Sequence, residues 1–387
     1  MKKLFITLAC CVFIFAAGMA KPKLAEVSID TDFNLVFMPI TINGVKLYMI
    51  LDTGAGFTVL DEDVAKDLGL NIENTRIMKR PGGEVRLGQL PHVDYLIGNH
   101  SASMPMATAN LAEGGFNDYL GRPCAGILGY DFIVQYGFTI DYYHRTMTIQ
   151  NPDEFDARHG EKLAITLTEG MPIVEASIES DSNNIRGRWL IDTGSMMFLG
   201  VNQSFYEEHL NKMRYQYSSI AVGFGGSTPG KMYKLDGFNF NGIEFTNIMA
   251  GHAEDGINDE HFDGVLGGEL LHRFTLSFNY ASNEMYLTSN PNLNNKITWD
   301  LSGMLIAQRD QGIEILHVYN DSPAFHAGIQ PHTYIQSING QNATKMGLPK
   351  VWKIFHNEVG KSIYLKIGNK MSTESKNIVL KDYYKNN

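Results

Sequence analysis

The 387-residue chain reads as a mainly β protein made of two copies of one unit, followed by a smaller α+β unit. Three observations carry that reading. The tripeptide Asp-Thr-Gly occurs at Asp52-Thr53-Gly54 and again at Asp192-Thr193-Gly194, each time directly after an apolar run. A Gly-apolar-apolar-Gly segment follows each at matched distance, Gly129 lying 77 residues after Asp52 and Gly267 lying 75 after Asp192. Alternating β-branched and aromatic runs dominate both stretches, whereas helical patterns are short. One such tripeptide arises by chance in a chain of this length with probability of roughly 0.05, but two in matched context mark an internal duplication.

Taken in order, residues 1–20 form a secretory signal: Lys2 and Lys3 precede a stretch at 4–17 that is apolar but for Thr7, and Gly18-Met19-Ala20 supplies the small residues of a cleavage site. The stretch is shorter than a membrane-spanning helix requires. Cleavage after Ala20 is expected, with a lipid anchor at Cys10 or Cys11 as the rival reading. The mature chain, periplasmic or extracellular and of bacterial type, then has no transmembrane segment. It retains 30 basic against 42 acidic residues, an acidic balance that argues against a nucleic-acid partner. Cys124 is the sole remaining cysteine, so no internal disulfide forms, and it reads as a small buried hydrophobe rather than a reactive thiol.

The first unit, 21–155, opens with a hairpin over 37–42 that turns at Asn43-Gly44, a strong two-residue turn signal. Leu47-Tyr48-Met49-Ile50-Leu51 leads into the first tripeptide, and a helix over 61–68 closes at Gly69. The second unit, 156–295, repeats the plan. Its hairpin starts at 173–178 and turns through 181–187, and Trp189-Leu190-Ile191 leads into the second tripeptide. Each unit carries a glycine-rich turn between its two motifs, Pro81-Gly82-Gly83 in one and Gly223-Phe224-Gly225-Gly226-Ser227 in the other, which read as tips of hairpins. A phosphate-cradling loop is the alternative for the second, but no Lys-Ser or Lys-Thr follows it.

On these motifs the chain resembles the aspartic proteases of the pepsin and retropepsin kind from about residue 33 to residue 290. The resemblance implies two β-barrel lobes about a pseudo-twofold axis, one catalytic Asp from each, here Asp52 and Asp192. It also implies that Gly82, Gly83, Phe224, Gly225 and Gly226 belong to substrate-covering flaps. The first flap departs from pepsins in lacking a Tyr near its tip. Two carboxyls held about 3 Å apart cannot both ionise, so they offer an acid and a base to a water between them. Thr53 and Thr193 can bond across to the opposite loop, while Gly54 and Gly194 allow close approach. Ser195 can donate to Asp192 where Ala55 offers Asp52 nothing, which makes Asp192 the more readily ionised member.

After the polar linker at 290–295, residues 302–387 are similar to bacterial PDZ domains. The best match is Ser322-Pro323-Ala324 with Ala327-Gly328-Ile329, a capped helix closed by glycine. Gly303, Met304, Leu305 and Ile306 are the expected carboxylate-binding loop for a peptide C-terminus; the alternative is a domain that only packs on the rest. His252, His261 and His272 are too irregular for a metal site, so no metal and no cofactor is expected. Trp189 and Trp352 read as core residues. The resulting expectation is a monomeric exported aspartic endopeptidase acting on peptides or proteins, with a catalytically silent peptide-binding adaptor as the alternative.

Overall fold

The computed structural model describes residues 22–384 apart from 81–82, 114, 158–159, 181–182, 212–215, 224–225, 255, 257–258 and 370–371. The export segment expected at 1–20 therefore lies outside the described residues. The first half of the chain contributes β1 (Ala25–Ser28), β2 (Phe37–Ile42), β3 (Val45–Leu51), β4 (Val59–Asp61), α1 (Glu62–Asp67), β5 (Glu73–Arg80), β6 (Gly83–Ile97), β7 (His100–Ala109), α2 (Phe116–Leu120), β8 (Gly126–Leu128), α3 (Tyr130–Ile133), β9 (Gly137–Asp141) and β10 (Thr146–Gln150). The second half contributes β11 (Glu161–Leu163), β12 (Thr166–Thr168), β13 (Met171–Ser180), β14 (Asn183–Ile191), β15 (Leu199–Val201), α4 (Gln203–Phe205), β16 (Gln216–Gly223), β17 (Gly226–Phe240), β18 (Ile243–Ala253), β19 (Gly264–Leu266), α5 (Gly268–Leu271), β20 (Phe274–Asn279) and β21 (Glu284–Ser289).

The duplication read from the motifs is present in the strand pairing. One sheet runs β2-β3-β8-β4-β7-β6-β5 and another runs β12-β13-β14-β19-β15-β18-β17-β16, so seven successive places correspond. The correspondence includes the parallel pairs, β3 with β8 and β4 with β7 in the first, β14 with β19 and β15 with β18 in the second. Each sheet is also cross-linked, by β2 with β6 and by β13 with β17, which curls it into a barrel-like form. A third sheet, β1-β10-β9-β20-β21-β11, joins the two halves through its central β9–β20 pair. There Phe138 stacks on Phe278 with ring centroids 5.0 Å apart, and the Thr139 and Ser277 hydroxyls meet at 2.9 Å.

Local sequence explains the boundaries. Asn43 and Gly44 take positive φ of 49° and 78°, the geometry of a two-residue hairpin turn, and β2 and β3 pair in register on either side. Asp61 caps α1 by accepting from the Asp63 and Val64 amides. The second hairpin differs from expectation: residues 183–187 are strand rather than turn, with Asn183 already paired to Ser180. The ladder continues because Gly187 leaves room for the Trp189 ring, whose Nε1 donates to the Ala176 carbonyl at 3.1 Å. Trp189 is fully buried as expected, but Trp352 is only half-buried and lies edge-on to Phe33.

The C-terminal unit is α+β. It comprises β22 (Met304–Arg309), β23 (Gly312–Val318), α6 (Pro323–His326), β24 (Thr333–Ile338), β25 (Gln341–Asn342), α7 (Ala343–Met346), α8 (Leu348–Phe355), β26 (Ser362–Gly368) and β27 (Thr373–Val379). Ser322 caps α6 through the Phe325 amide, and Gly328 closes it with a φ of 68°. The expected loop at 303–306 is largely strand, since Met304, Leu305 and Ile306 pair with β23.

Arg273 ties these parts together. It is buried at the end of α5, donates to Glu269 Oε1 at 2.9 Å and to the Asn292 and Asn295 carbonyls of the linker at 3.1 and 2.6 Å. Glu269 in turn accepts from Asn34 in the first half and from the Thr298 amide. Removing one member of a buried pair leaves an uncompensated charge, so Arg273→Ala is expected to lower the unfolding free energy in urea by about 3–5 kcal/mol. A change of under about 1 kcal/mol would show that the linker is held by other contacts.

Candidate active site

Each Asp-Thr-Gly loop begins where a buried strand runs out. Asp52 follows β3, and its amide donates to the Leu128 carbonyl at 3.0 Å; Asp192 follows β14, and its amide donates to Leu266 at 2.9 Å. The loops then turn on equivalent bonds, Ala55 N–H to Asp52 O and Ser195 N–H to Asp192 O. Beneath each lies the second glycine of its Gly-apolar-apolar-Gly segment. A β-carbon on Gly129 would stand 2.5 Å from the Phe57 carbonyl oxygen, and one on Gly267 would stand 2.4 Å from that of Met197, so nothing larger fits.

The two loops interlock through their threonines. The Thr53 amide donates to Thr193 Oγ1 and the Thr193 amide to Thr53 Oγ1, both at 3.1 Å. Each hydroxyl then donates onward to the backbone of the opposite strand, Thr53 to the Ile191 carbonyl at 2.5 Å and Thr193 to the Leu51 carbonyl at 2.6 Å. Both side chains are buried, 2% and 0% exposed, so the four bonds form where water cannot compete. The glycines that follow make the approach possible: a β-carbon on Gly194 would fall 2.3 Å from Asp52 Cγ, and one on Gly54 would fall 3.0 Å from Asp192 Cγ.

This interlock brings the Asp52 and Asp192 carboxyls within hydrogen-bonding reach of each other. Each also accepts from its own loop, Asp52 Oδ1 from the Gly54 amide at 2.8 Å and Asp192 Oδ1 from the Gly194 amide at 2.9 Å. Burial pushes both above the ordinary carboxylate value of 3.8, and the Asp52 charge pushes Asp192 well above it. The pair therefore takes up and releases its protons as a unit and retains one over a range in which a free carboxyl is ionised. The two residues as a whole are partly exposed.

Ser195 does not play the part expected of it. Its hydroxyl accepts from the Met197 amide at 3.4 Å, turned into its own loop, and only its backbone N–H favours the ionised form of Asp192. The hydroxyl donation expected to favour ionised Asp192 is therefore not made, and burial together with the Asp52 charge raises Asp192 well above the ordinary value. Of the flap residues, Gly82, Phe224 and Gly225 lie outside the described residues. Gly83 and Gly226 pair with Arg80 and Gly223 at the ends of the β5–β6 and β16–β17 hairpins.

Motif reading missed the residues that seat those hairpins. Phe57, five places after Asp52, packs with Met78 and Val85 of the first hairpin. Met197, five places after Asp192, crowds Gly251 together with Met232 of the second. Their equal offset from the tripeptide was a signal open to the duplication argument. Buried Tyr142 and Tyr280, at matching places after β9 and β20, also fall within the electrostatic reach of the carboxyls. Cys124 is buried, and its thiol is pushed up to about 11 by burial, as suits a structural residue. His252 stacks on Tyr206, and among the described residues no three His, Cys, Asp or Glu side chains converge on a metal position.

At the C-terminal unit, the Gly303 amide donates to Asp300 Oδ2 at 2.6 Å and the Met304 amide to Ser302 Oγ at 3.2 Å. Two of the donors expected to receive a peptide carboxylate, the Gly303 and Met304 amides, are thus taken within the chain, while Leu305 and Ile306 lie in β22.

Residues 38–132 match a family model described as aspartyl protease, a stretch running from β2 into α3 that contains Asp52 and its glycine-rich support. The match supports an aspartyl protease family for this chain. No curated protein matches it.

Because burial raises the pair's affinity for protons in the folded state, the corresponding stability is present below the unfolded carboxylate value and is lost as pH rises through the folded one. Asp192→Asn removes that loss. The variant is expected to be more stable than the parent at neutral pH, with the difference shrinking as the pH falls toward 3.8. A difference that does not vary with pH in chemical denaturation would contradict the shared proton.

Proposed function

We propose that the chain is an exported aspartic endopeptidase with two lobes of the pepsin and retropepsin kind, Asp52 and Asp192 acting as one catalytic pair, and a PDZ-like third unit. The observation that carries the proposal is the reciprocal threonine bonding that holds two desolvated carboxyls against each other at the junction of duplicated β units. An ordinary structural aspartate needs neither a like-charged neighbour nor a raised affinity for protons.

In this reading the ionised carboxylate accepts a proton from a water held between the pair while the neutral carboxyl donates a hydrogen bond to the scissile carbonyl. The water oxygen bonds to the carbonyl carbon as the neutral carboxyl passes its proton to the carbonyl oxygen, and a tetrahedral diol forms. Its collapse breaks the carbon–nitrogen bond: the proton gained from water passes to the departing amine, and one diol hydroxyl returns its proton to the second carboxylate, which restores the singly protonated pair. Gly54 and Gly194 amides hold the carboxyls in place through the cycle. The hairpins β5–β6 and β16–β17, seated on Phe57 and Met197, supply the covering that excludes bulk water from the reacting bond. Activity requires one proton on the pair, so it falls as pH rises beyond the raised value.

Cleavage of a mixed peptide library tests the proposal. The parent is expected to cut, to be blocked by a statine-type transition-state mimic, and to lose at least about 1,000-fold in kcat/KM in Asp52→Asn and in Asp192→Asn alike. Saturable peptide binding with no turnover from about pH 3 to about pH 8 would instead establish the adaptor.

A further inference from the structure

The C-terminal unit carries the features of a peptide receptor, yet its groove is filled. β22 lies at the edge of its sheet, in the order β22-β23-β24-β26-β27, and the space between it and α8 is where an added strand would lie. That space holds the first half of the chain. α2 packs along β22, and Asp118 of α2 pairs with Arg309 at the end of that strand. Gly121, just past α2, lies so close to Leu348 of α8 that a β-carbon there would stand 2.3 Å from Leu348 Cβ. One apolar cluster runs from Leu120, Phe33 and Ile50 to Met304, Ile306 and Val351, with Met196 of the second Asp-Thr-Gly loop packed against it. Where a bound peptide would bring its carboxylate, the side chain of Asp300 takes the Gly303 amide and a further bond from the Tyr383 hydroxyl.

The opposite side of the unit meets the second hairpin. β16 is the edge strand of its sheet and would otherwise leave backbone donors unpaired. Tyr319 packs in one cluster with Tyr217 of β16 and Met232 of β17, and its hydroxyl faces Ser219 and Ile220 of β16. Tyr217 donates to the Tyr384 carbonyl at 2.6 Å, and Lys234 of β17 pairs with buried Asp382 at 2.7 Å. Tyr383 and Tyr384 pack on Met232, the residue that shares the crowding of Gly251 with Met197.

We infer that the C-terminal unit is not a peptide receptor but a strut: its groove is occupied from within by α2 and Asp300, and Tyr319 is a positioning residue that sets the β16–β17 hairpin over the Asp192 loop. The unit thereby touches the strand leading to Asp52, the loop following Asp192 and one of the two hairpins. Substrate fit, rather than substrate capture, is what it governs.

Two measurements on the full chain test this. In the first, the Asp52→Asn protein, which spares the probe from cleavage, is titrated with labelled peptides ending in a free valine carboxylate and with their amidated counterparts. No carboxylate-dependent binding is expected up to about 1 mM; a saturable preference for the free carboxylate overturns the closed groove. In the second, Tyr319→Phe is expected to speed hydrogen exchange across 216–223 by about tenfold, with β7 and β18 unchanged. It is also expected to raise KM about three- to tenfold while kcat stays within about twofold. Unchanged exchange in β16, or kcat falling with KM untouched, overturns the positioning role. The kinetic readout rests on the peptidase reading; peptide binding and exchange do not, so failure of one is distinguishable from failure of the other.

Discussion

Two hydroxyls hold the site together. Thr53 and Thr193 each receive the other's backbone N–H and pass a hydrogen bond to the strand leading into the opposite loop, so neither loop can move without breaking bonds in the other. Everything chemically useful follows from that constraint. It forces two carboxyls into a space where both cannot be charged, and desolvation sharpens the conflict until one proton is retained. Glycine is required at Gly54 and Gly194 because the opposing carboxyls occupy the volume a side chain would need.

The cost of crowding like charges must be met elsewhere, and the molecule meets it with redundancy. Matching sheets present the two loops from opposite sides, the β9–β20 pair fastens the halves through stacked phenylalanines, and the Glu269–Arg273 pair fastens the linker to both. The C-terminal unit adds a further restraint by burying apolar surface against β3, which ends in the first Asp-Thr-Gly loop, and against Met196 of the second.

Much of this was legible in the residues because duplication doubles every signal. A single Asp-Thr-Gly is weak, but a second at matched distance from a second Gly-apolar-apolar-Gly locates equivalent strands, and the strand orders agree. Turn chemistry at Asn43-Gly44 and the cap at Ser322 were local and so were readable. Three features were not. The Ser195 hydroxyl rotates about one bond, and its choice of the Met197 amide over Asp192 depends on packing that no motif encodes. The extended reach of β14 depends on a glycine accommodating a tryptophan two residues away on the same strand. The filled groove depends on Leu120 and Gly121 meeting Leu348, residues far apart in the chain whose apolar character alone suits many neighbours.

The shared proton can be observed directly by carbon-13 NMR of a protein labelled at its aspartate carboxyls, followed through a pH titration with the Asp52→Asn and Asp192→Asn variants supplying assignments. The account predicts that the two resonances move together in two well-separated steps, one of them above the ordinary value of 3.8, and that each variant collapses the pair to a single step. Two independent transitions, both near 3.8 and each indifferent to loss of the other carboxyl, would contradict it.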